Sequence, residues 1–162
     1  MRHVSYLSFY ESPIGILRIN TSDYDILSIT FIEEQEEEER ENFLSKQVKE
    51  ELTLYFNREL TSFSFYNYLI SGLEARVLEI ISHIPYGKTM TYKEVAKFLG
   101  NEEMISPVIT VLNENPCPIL IPCHRVIESD NDIGSYVTDI EKKEYLLNLE
   151  MSNKSNYLEP VK

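Results

Sequence analysis

A chain of 162 residues with 43% apolar content, 11 Tyr, 7 Phe and no Trp can bury a core, as one compact domain or as a small domain joined to a larger one. Its net charge of −12 argues against a general nucleic-acid binder, because phosphate contacts favour a basic surface. No apolar run is long enough to span a membrane, and no signal-peptide pattern opens the chain. The two cysteines, Cys117 and Cys123, are too close and too proline-restricted for a structural disulfide, and with the three scattered His they give no zinc-ligand spacing. The expected setting is a reducing cytoplasm, with no metal and no cofactor.

Residues 3–10, 14–20 and 24–32 read as short strands. Apolar and polar residues alternate there, and Ser12-Pro13 and Ser22-Asp23 supply turns, so a small antiparallel meander is expected. A run of seven glutamates between Glu33 and Glu41 follows and reads as a solvated loop or helix start. Residues 41–57 read as an amphipathic helix that buries Leu44, Val48, Leu52, Tyr55 and Phe56. The aromatic stretch Phe63-Ser64-Phe65-Tyr66-Asn67-Tyr68 suits core or interdomain packing better than base stacking.

Three capping boxes are predicted beyond it: Ser71-x-x-Glu74, Thr91-x-x-Glu94 and Thr138-x-x-Glu141. The first opens a helix with the buried stripe Leu73, Val77, Leu78, Ile81 and Ile84. The second opens a short helix stopped by Gly100. Ser106-Pro107 reads as the N-cap and first helical position of another short helix, Val108 to Asn113. Those two short helices form a helix-turn-helix candidate, a weak signal by itself. The third box opens a final helix with Leu146, Leu147 and Leu149, and a polar, loosely held tail ends the chain. The fold class expected is α+β. A small sheet-plus-helix domain spans residues 1–69, a mainly helical domain with a helix-turn-helix spans 70–152, and the tail spans 153–162. Between Gly72 and Val126 six acidic residues meet five basic ones, so this region is nearly neutral and DNA is not excluded as a partner.

The chemistry concentrates in Asn115-Pro116-Cys117-Pro118-Ile119-Leu120-Ile121-Pro122-Cys123-His124-Arg125-Val126. A thiolate is the nucleophilic form of cysteine, and an imidazole can help to make it. Adjacent side chains diverge, so His124 reaches Cys123 through a bridging water or a turn. Pro118 and Pro122 stiffen the approach. A lone Cys after an apolar run is more often a small buried hydrophobe, and a lone His more often a structural residue.

The length of the stretch changes that balance, because it resembles the active-site signature of the O6-alkylguanine-DNA alkyltransferases (methylated-DNA–protein-cysteine methyltransferases). The resemblance covers roughly Leu73 to Glu150. It implies Cys123 as alkyl acceptor, His124 as the residue that takes its proton through a water, Glu150 as the acid that orients His124, and Asn115 as the brace of the turn. Ile84-Pro85-Tyr86-Gly87 and Thr91-Tyr92 are similar to the segment before the family's helix-turn-helix. By that match Tyr92 presses near the target's 3′ phosphate. Tyr136 helps to recognise the extruded guanine, and Val126 offers backbone contacts to the guanine edge. The implied partner is duplex DNA carrying O6-alkylguanine, bound by a monomer.

Three departures stand out, one being that the recognition helix carries Ile109 and Val111 where the family commonly has Gly and Ala. The arginine that fills the gap left by the flipped base is Ser106 here, with Lys88, Lys93 or Ile105 as candidate substitutes. The small Ser-Gly-Gly segment beside the pocket is Val137-Thr138-Asp139. Three functions follow from these readings. The first is single-turnover repair of O6-alkylguanine, with O4-alkylthymine as a second candidate substrate. The second is a non-catalytic lesion binder of the same fold. The third is a helix-turn-helix regulator with a buried structural cysteine.

Overall fold

A computed structural model describes residues 4–153. The expected polar tail lies outside the described residues, apart from Asn153. That residue is buried, and its side-chain amide donates to the Tyr86 hydroxyl at 2.9 Å and to the Arg58 carbonyl at 3.2 Å, so Asn153 is not part of a loose tail.

The amino-terminal half is the expected meander. Strands β1 (Tyr6–Ser12), β2 (Gly15–Thr21) and β3 (Asp25–Ile32) pair antiparallel in that order. Strand side chains alternate between faces, which buries Leu17, Ile19 and Thr21 of β2 and leaves Ile16, Arg18 and Asn20 less covered. Helix α1 (Phe43–Phe56) lies on the sheet and buries Ser45, Val48, Leu52 and Tyr55. Asn42 and Ser45 form a reciprocal capping box at its start, each side chain accepting from the other's backbone N–H at 2.9 Å. The glutamate run is a loop, not a helix start. Arg40 exchanges backbone hydrogen bonds with Leu7 on the outer edge of β1, Glu37 pairs with Arg18 at 2.8 Å, and Glu39 accepts from the Phe9 N–H at 3.0 Å.

A fourth strand, β4 (Asn67–Tyr68), joins β3 in parallel. Two residues carry no periodicity, so the sequence offered no signal for it. Of the aromatic stretch, Phe63, Tyr66 and Tyr68 pack on the core, and Phe65 is fully exposed.

The remaining half is helical. Helix α2 (Gly72–Ser82) follows, then β5 (Met90–Thr91), α3 (Tyr92–Phe98), α4 (Ile105–Asn113), β6 (Val126–Ile127) and α5 (Ile140–Ser152). Only one of the three predicted boxes there caps its helix: the Thr91 hydroxyl accepts from the Glu94 N–H at 3.1 Å. Ser71 occupies the cap of α2 without a side-chain bond, because Gly72 enters the helix in the left-handed region at φ +65°. Asp139, not Thr138, sits at the cap of α5, and its carboxylate pairs with Lys142 at 2.8 Å. The start of α4 also differs from the sequence reading. A 3-10 turn, Glu102–Met104, is capped by Asn101 and runs straight into Ile105, which puts Ser106 and Pro107 inside the first turn. Pro107 is tolerated there because a first-turn N–H has no helical partner.

Helices α3 and α4 pack on each other, and α2 packs on both. Two ties fix the segment between α4 and α5. Strands β5 and β6 pair in parallel, and the Ile29 N–H of β3 donates to the Pro116 carbonyl at 2.7 Å. Buried side chains from both halves form one cluster that includes Leu17, Leu52, Val77, Ile119 and Leu146.

Leu52 is fully buried between α1 and the sheet. Leu52→Ala should destabilise the protein by about 2–5 kcal/mol through lost burial and a residual cavity. Urea denaturation should show a lower midpoint with an unchanged slope.

Candidate active site

The segment that delivers Cys123 is held by its own backbone and by Asn115. The Asn115 amide donates to the Ile121 carbonyl at 2.9 Å, and its oxygen accepts from the Cys117 N–H at 2.9 Å. The Ile121 N–H returns to the Cys117 carbonyl at 3.0 Å. Inside this loop Ile119 adopts φ +76°, a left-handed conformation that costs a β-branched residue on the order of 1–3 kcal/mol. Its side chain is buried in the core, which holds it there. Cys123–Arg125 then form a short 3-10 turn, and Val126 leaves it in strand β6.

The Cys123 thiol is buried, and burial pushes its pKa up to about 11 against the opposing pull of the Asn115 hydrogen bond and the Lys143 charge. The resting group is therefore the neutral thiol, and it needs a base. Burial also pushes Cys117 up, to about 12.

Glu150, on α5, is the hub of the site. Its Oε2 lies 2.6 Å from His124 Nε2, 2.6 Å from the Tyr55 hydroxyl and 3.1 Å from Arg125 Nη2. Its Oε1 accepts from Arg125 Nε at 2.8 Å and from the Gly87 N–H at 3.2 Å. Arg125 Nη1 donates to the Ile84 carbonyl at 2.8 Å. Burial alone would favour a neutral Glu150, but His124 and Arg125 outweigh it and hold the carboxyl well below the usual range. The guanidinium of Arg125 is always charged, so Glu150 is ionised whatever His124 does. Burial pushes His124 below its ordinary value, against the pull of Glu150. The tautomer that satisfies this network has Nε2–H donating to Glu150 and a lone pair on Nδ1. Nδ1 has no hydrogen-bond partner among the described residues, which is the state of a base ready to accept a proton.

The other expected residues divide into two groups. Tyr136 is buried against Phe31, ring centroids 6.2 Å apart, and its hydroxyl has no partner among the described residues. Burial raises its pKa well above the ordinary value, and the neighbouring Cys123 adds to this, so its phenol stays protonated. Val126 is buried, and its carbonyl accepts from Lys143 Nζ at 2.6 Å. Ser106, Lys88 and Lys93 are exposed, on the first turn of α4, before β5 and on α3.

Tyr92, the residue expected beside a phosphate, opens helix α3. It is buried, and its hydroxyl turns inward to accept from the Ser135 N–H at 3.0 Å with Lys143 Nζ at 3.5 Å. Gly134, at φ +78°, lies so close to this hydroxyl that any Cβ would collide with it.

Three residues were missed. Arg125 sits inside the signature, but only its charge was read. Lys143 shares a face of α5 with Glu150 seven positions later, a helical spacing that could have found it. Tyr55 showed nothing beyond being a core position filled by Tyr.

Residues 72–152 match the family model "6-O-methylguanine DNA methyltransferase, DNA binding domain", and residues 5–67 match "6-O-methylguanine DNA methyltransferase, ribonuclease-like domain". The chain belongs to this family. A methylated-DNA–protein-cysteine methyltransferase of Methanosarcina acetivorans is 33% identical over 156 residues, covering 91% of this chain and 99% of the relative. The crystal structure of Mycobacterium tuberculosis O6-methylguanine methyltransferase superposes with a TM-score of 0.82 at 27% identity, over 98% of this chain and 97% of that one. Mycobacterium tuberculosis OGT in complex with DNA gives 0.80 at 28% identity, over 90% and 92%. As a 6-O-methylguanine DNA methyltransferase, the protein repairs DNA by alkyl transfer to a cysteine. Among the described residues no helix is long and apolar enough to cross a membrane.

The site makes this methyltransferase acid-sensitive in a defined way. Both Glu150 and His124 titrate below their unfolded values, so the unfolded chain binds their protons first. Stability should fall as pH drops through about 6.5, where an unfolded His charges, and fall further below about 4.3, where an unfolded Glu protonates. Denaturation from pH 8 to 3 should show the loss below about pH 4.3 flattened in Glu150→Gln, even though that variant starts less stable.

Proposed function

We propose that the protein repairs O6-alkylguanine in duplex DNA by moving the alkyl group once, irreversibly, to Cys123. The supporting observation is the buried set in which Glu150 holds His124 by Nε2 and leaves Nδ1 without a partner among the described residues, next in sequence to a buried thiol that cannot ionise unaided. The damaged base must leave the stack, because a nucleophile cannot reach the O6 substituent of a paired base in line. His124 Nδ1 takes the thiol proton through a bridging water, and Glu150 stabilises the imidazolium. The sulfur forms a bond to the alkyl carbon as the carbon–oxygen bond breaks. The electron pair goes to O6, and the guanine is protonated by the Tyr136 hydroxyl or by water. The product is a thioether, which no group in the site can cleave, so each molecule acts once. Asn115 braces the loop, and the backbone at Val126 faces the guanine edge. O4-alkylthymine is a second substrate of the same chemistry.

DNA lies along α3 and α4. Ser106 cannot fill the space of an extruded base, and α4 (Ile105–Asn113) carries no charged residue. Ile105 supplies an apolar wedge, and Lys88 and Lys93 supply cations at the rim. Tyr92, which opens α3, presses near the target's 3′ phosphate. The chain acts as a monomer in a reducing cytoplasm, where a free thiol persists. A boundary near residue 70 divides it, which agrees with two family models that stop at 67 and start at 72. One rival keeps support from Ser106 and the Val137-Thr138-Asp139 pocket edge: a lesion binder without transfer.

Incubation with a duplex carrying one O6-methylguanine should add one methyl to the intact mass of the wild type and none to Cys123→Ser. No gain alongside lesion-selective binding would replace this reading with the rival. His124→Ala should slow transfer by about 10²- to 10⁴-fold, the usual range for a lost general base. Ser106→Arg should tighten lesion binding and speed transfer several-fold in a gel-shift and single-turnover assay. An unchanged variant would overturn the account of the missing arginine.

A further inference from the structure

We propose that Tyr55, from the sheet-bearing amino-terminal half, is a positioning residue for alkyl transfer, its hydroxyl sharing the Glu150 oxygen that holds His124. The inference rests on the role proposed for His124 and adds to it a residue outside the DNA-binding half.

The Tyr55 hydroxyl and His124 Nε2 each lie 2.6 Å from the same atom, Glu150 Oε2. A carboxylate only accepts, so the hydroxyl must be the donor. Its proton is secure, because burial and then the Glu150 charge raise the Tyr55 pKa well above the ordinary value. The ring has no freedom to leave. It is 1% exposed and packs against Phe56, Phe63 and Tyr86 with centroids 5.2, 5.4 and 6.2 Å away.

Two short bonds on one oxygen compete. The hydroxyl draws negative charge from Oε2 and so lowers the basicity that Glu150 lends to His124. It also fixes the direction of that lone pair, which fixes the imidazole plane and the aim of Nδ1. The remaining charged or titratable groups around the pair are Arg125 from the 3-10 turn, Lys143 from α5, Tyr86 from the turn after α2, and Cys123 and Tyr136 on the substrate side. Tyr55 is the member of this set contributed by α1, which makes the amino-terminal half part of the transfer machinery.

Tyr55→Phe removes the hydroxyl and keeps the ring. The sign follows from the shared oxygen. With Oε2 relieved of one donor, His124 becomes more basic, so the acid limb of the transfer rate against pH should move up by about half a pH unit or more. His124, followed by ¹⁵N NMR in the DNA-free protein, should titrate higher by the same amount. A purely structural role would lower the thermal midpoint and leave both pH readings in place, and that result would overturn the proposal. Should Tyr55→Phe fail to fold, 3,5-difluorotyrosine at position 55 serves instead. Its more acidic hydroxyl is a stronger donor and should move the limb and the His124 titration downward; no movement would again overturn the proposal. The NMR arm needs no substrate. A protein that transferred no alkyl group would lose the reading of function while the His124 titration still judged Tyr55.

Discussion

A buried carboxylate governs this protein. Glu150 is almost inaccessible to solvent, and an ionised carboxylate in that position is tolerated only if its charge is matched and its lone pairs are filled. Five donor groups do this: two nitrogens of Arg125, the Gly87 N–H, the Tyr55 hydroxyl and His124. They come from α1, from the turn after α2 and from the 3-10 turn that carries Cys123. The elements around the site are therefore placed by one requirement, the satisfaction of a single buried charge.

The same requirement sets the chemistry. Arg125 keeps Glu150 ionised independently of His124, which frees His124 to remain neutral and basic. Burial keeps the Cys123 thiol protonated at rest, so the nucleophile needs a base, the role proposed for the neutral His124. A thiol held this way is protected from oxidation and from chance electrophiles. For a protein whose product is a stable thioether, that protection matters, because a spent cysteine is not recovered.

The DNA face obeys a different logic. The chain is strongly acidic, and its acidic run is an exposed loop tied at Arg40 to the edge of β1, with Arg18 and Lys49 offsetting part of its charge. Helix α4 presents no charge, and the exposed lysines lie on α3 and in the turns beside it. Affinity for undamaged DNA should be weak and salt-dependent. Selectivity for the lesion must therefore come from the site itself and not from the charge of the surface.

Much of this was legible in the sequence. Period-two alternation located β1, β2 and β3, period-3.6 stripes located α1 and α2, the long signature singled out Cys123, His124 and Asn115, and the family's spacing from the cysteine pointed to Glu150. Local patterns were less faithful where geometry depends on the incoming chain. Ser71 and Thr138 have cap chemistry but no cap bond, since a left-handed Gly72 and an α5 that starts at Ile140 set the entry directions. Strand β4 was invisible, because two residues hold no pattern. Tertiary structure alone decided the rest. That Tyr55 reaches Glu150 across 95 residues, that Tyr92 turns its hydroxyl to Ser135 and Lys143, and that Arg125 neutralises the carboxylate are all results of packing. A sequence states which residue types can donate, accept or attack; which of them meet is decided when the core closes and every buried polar group must find a partner.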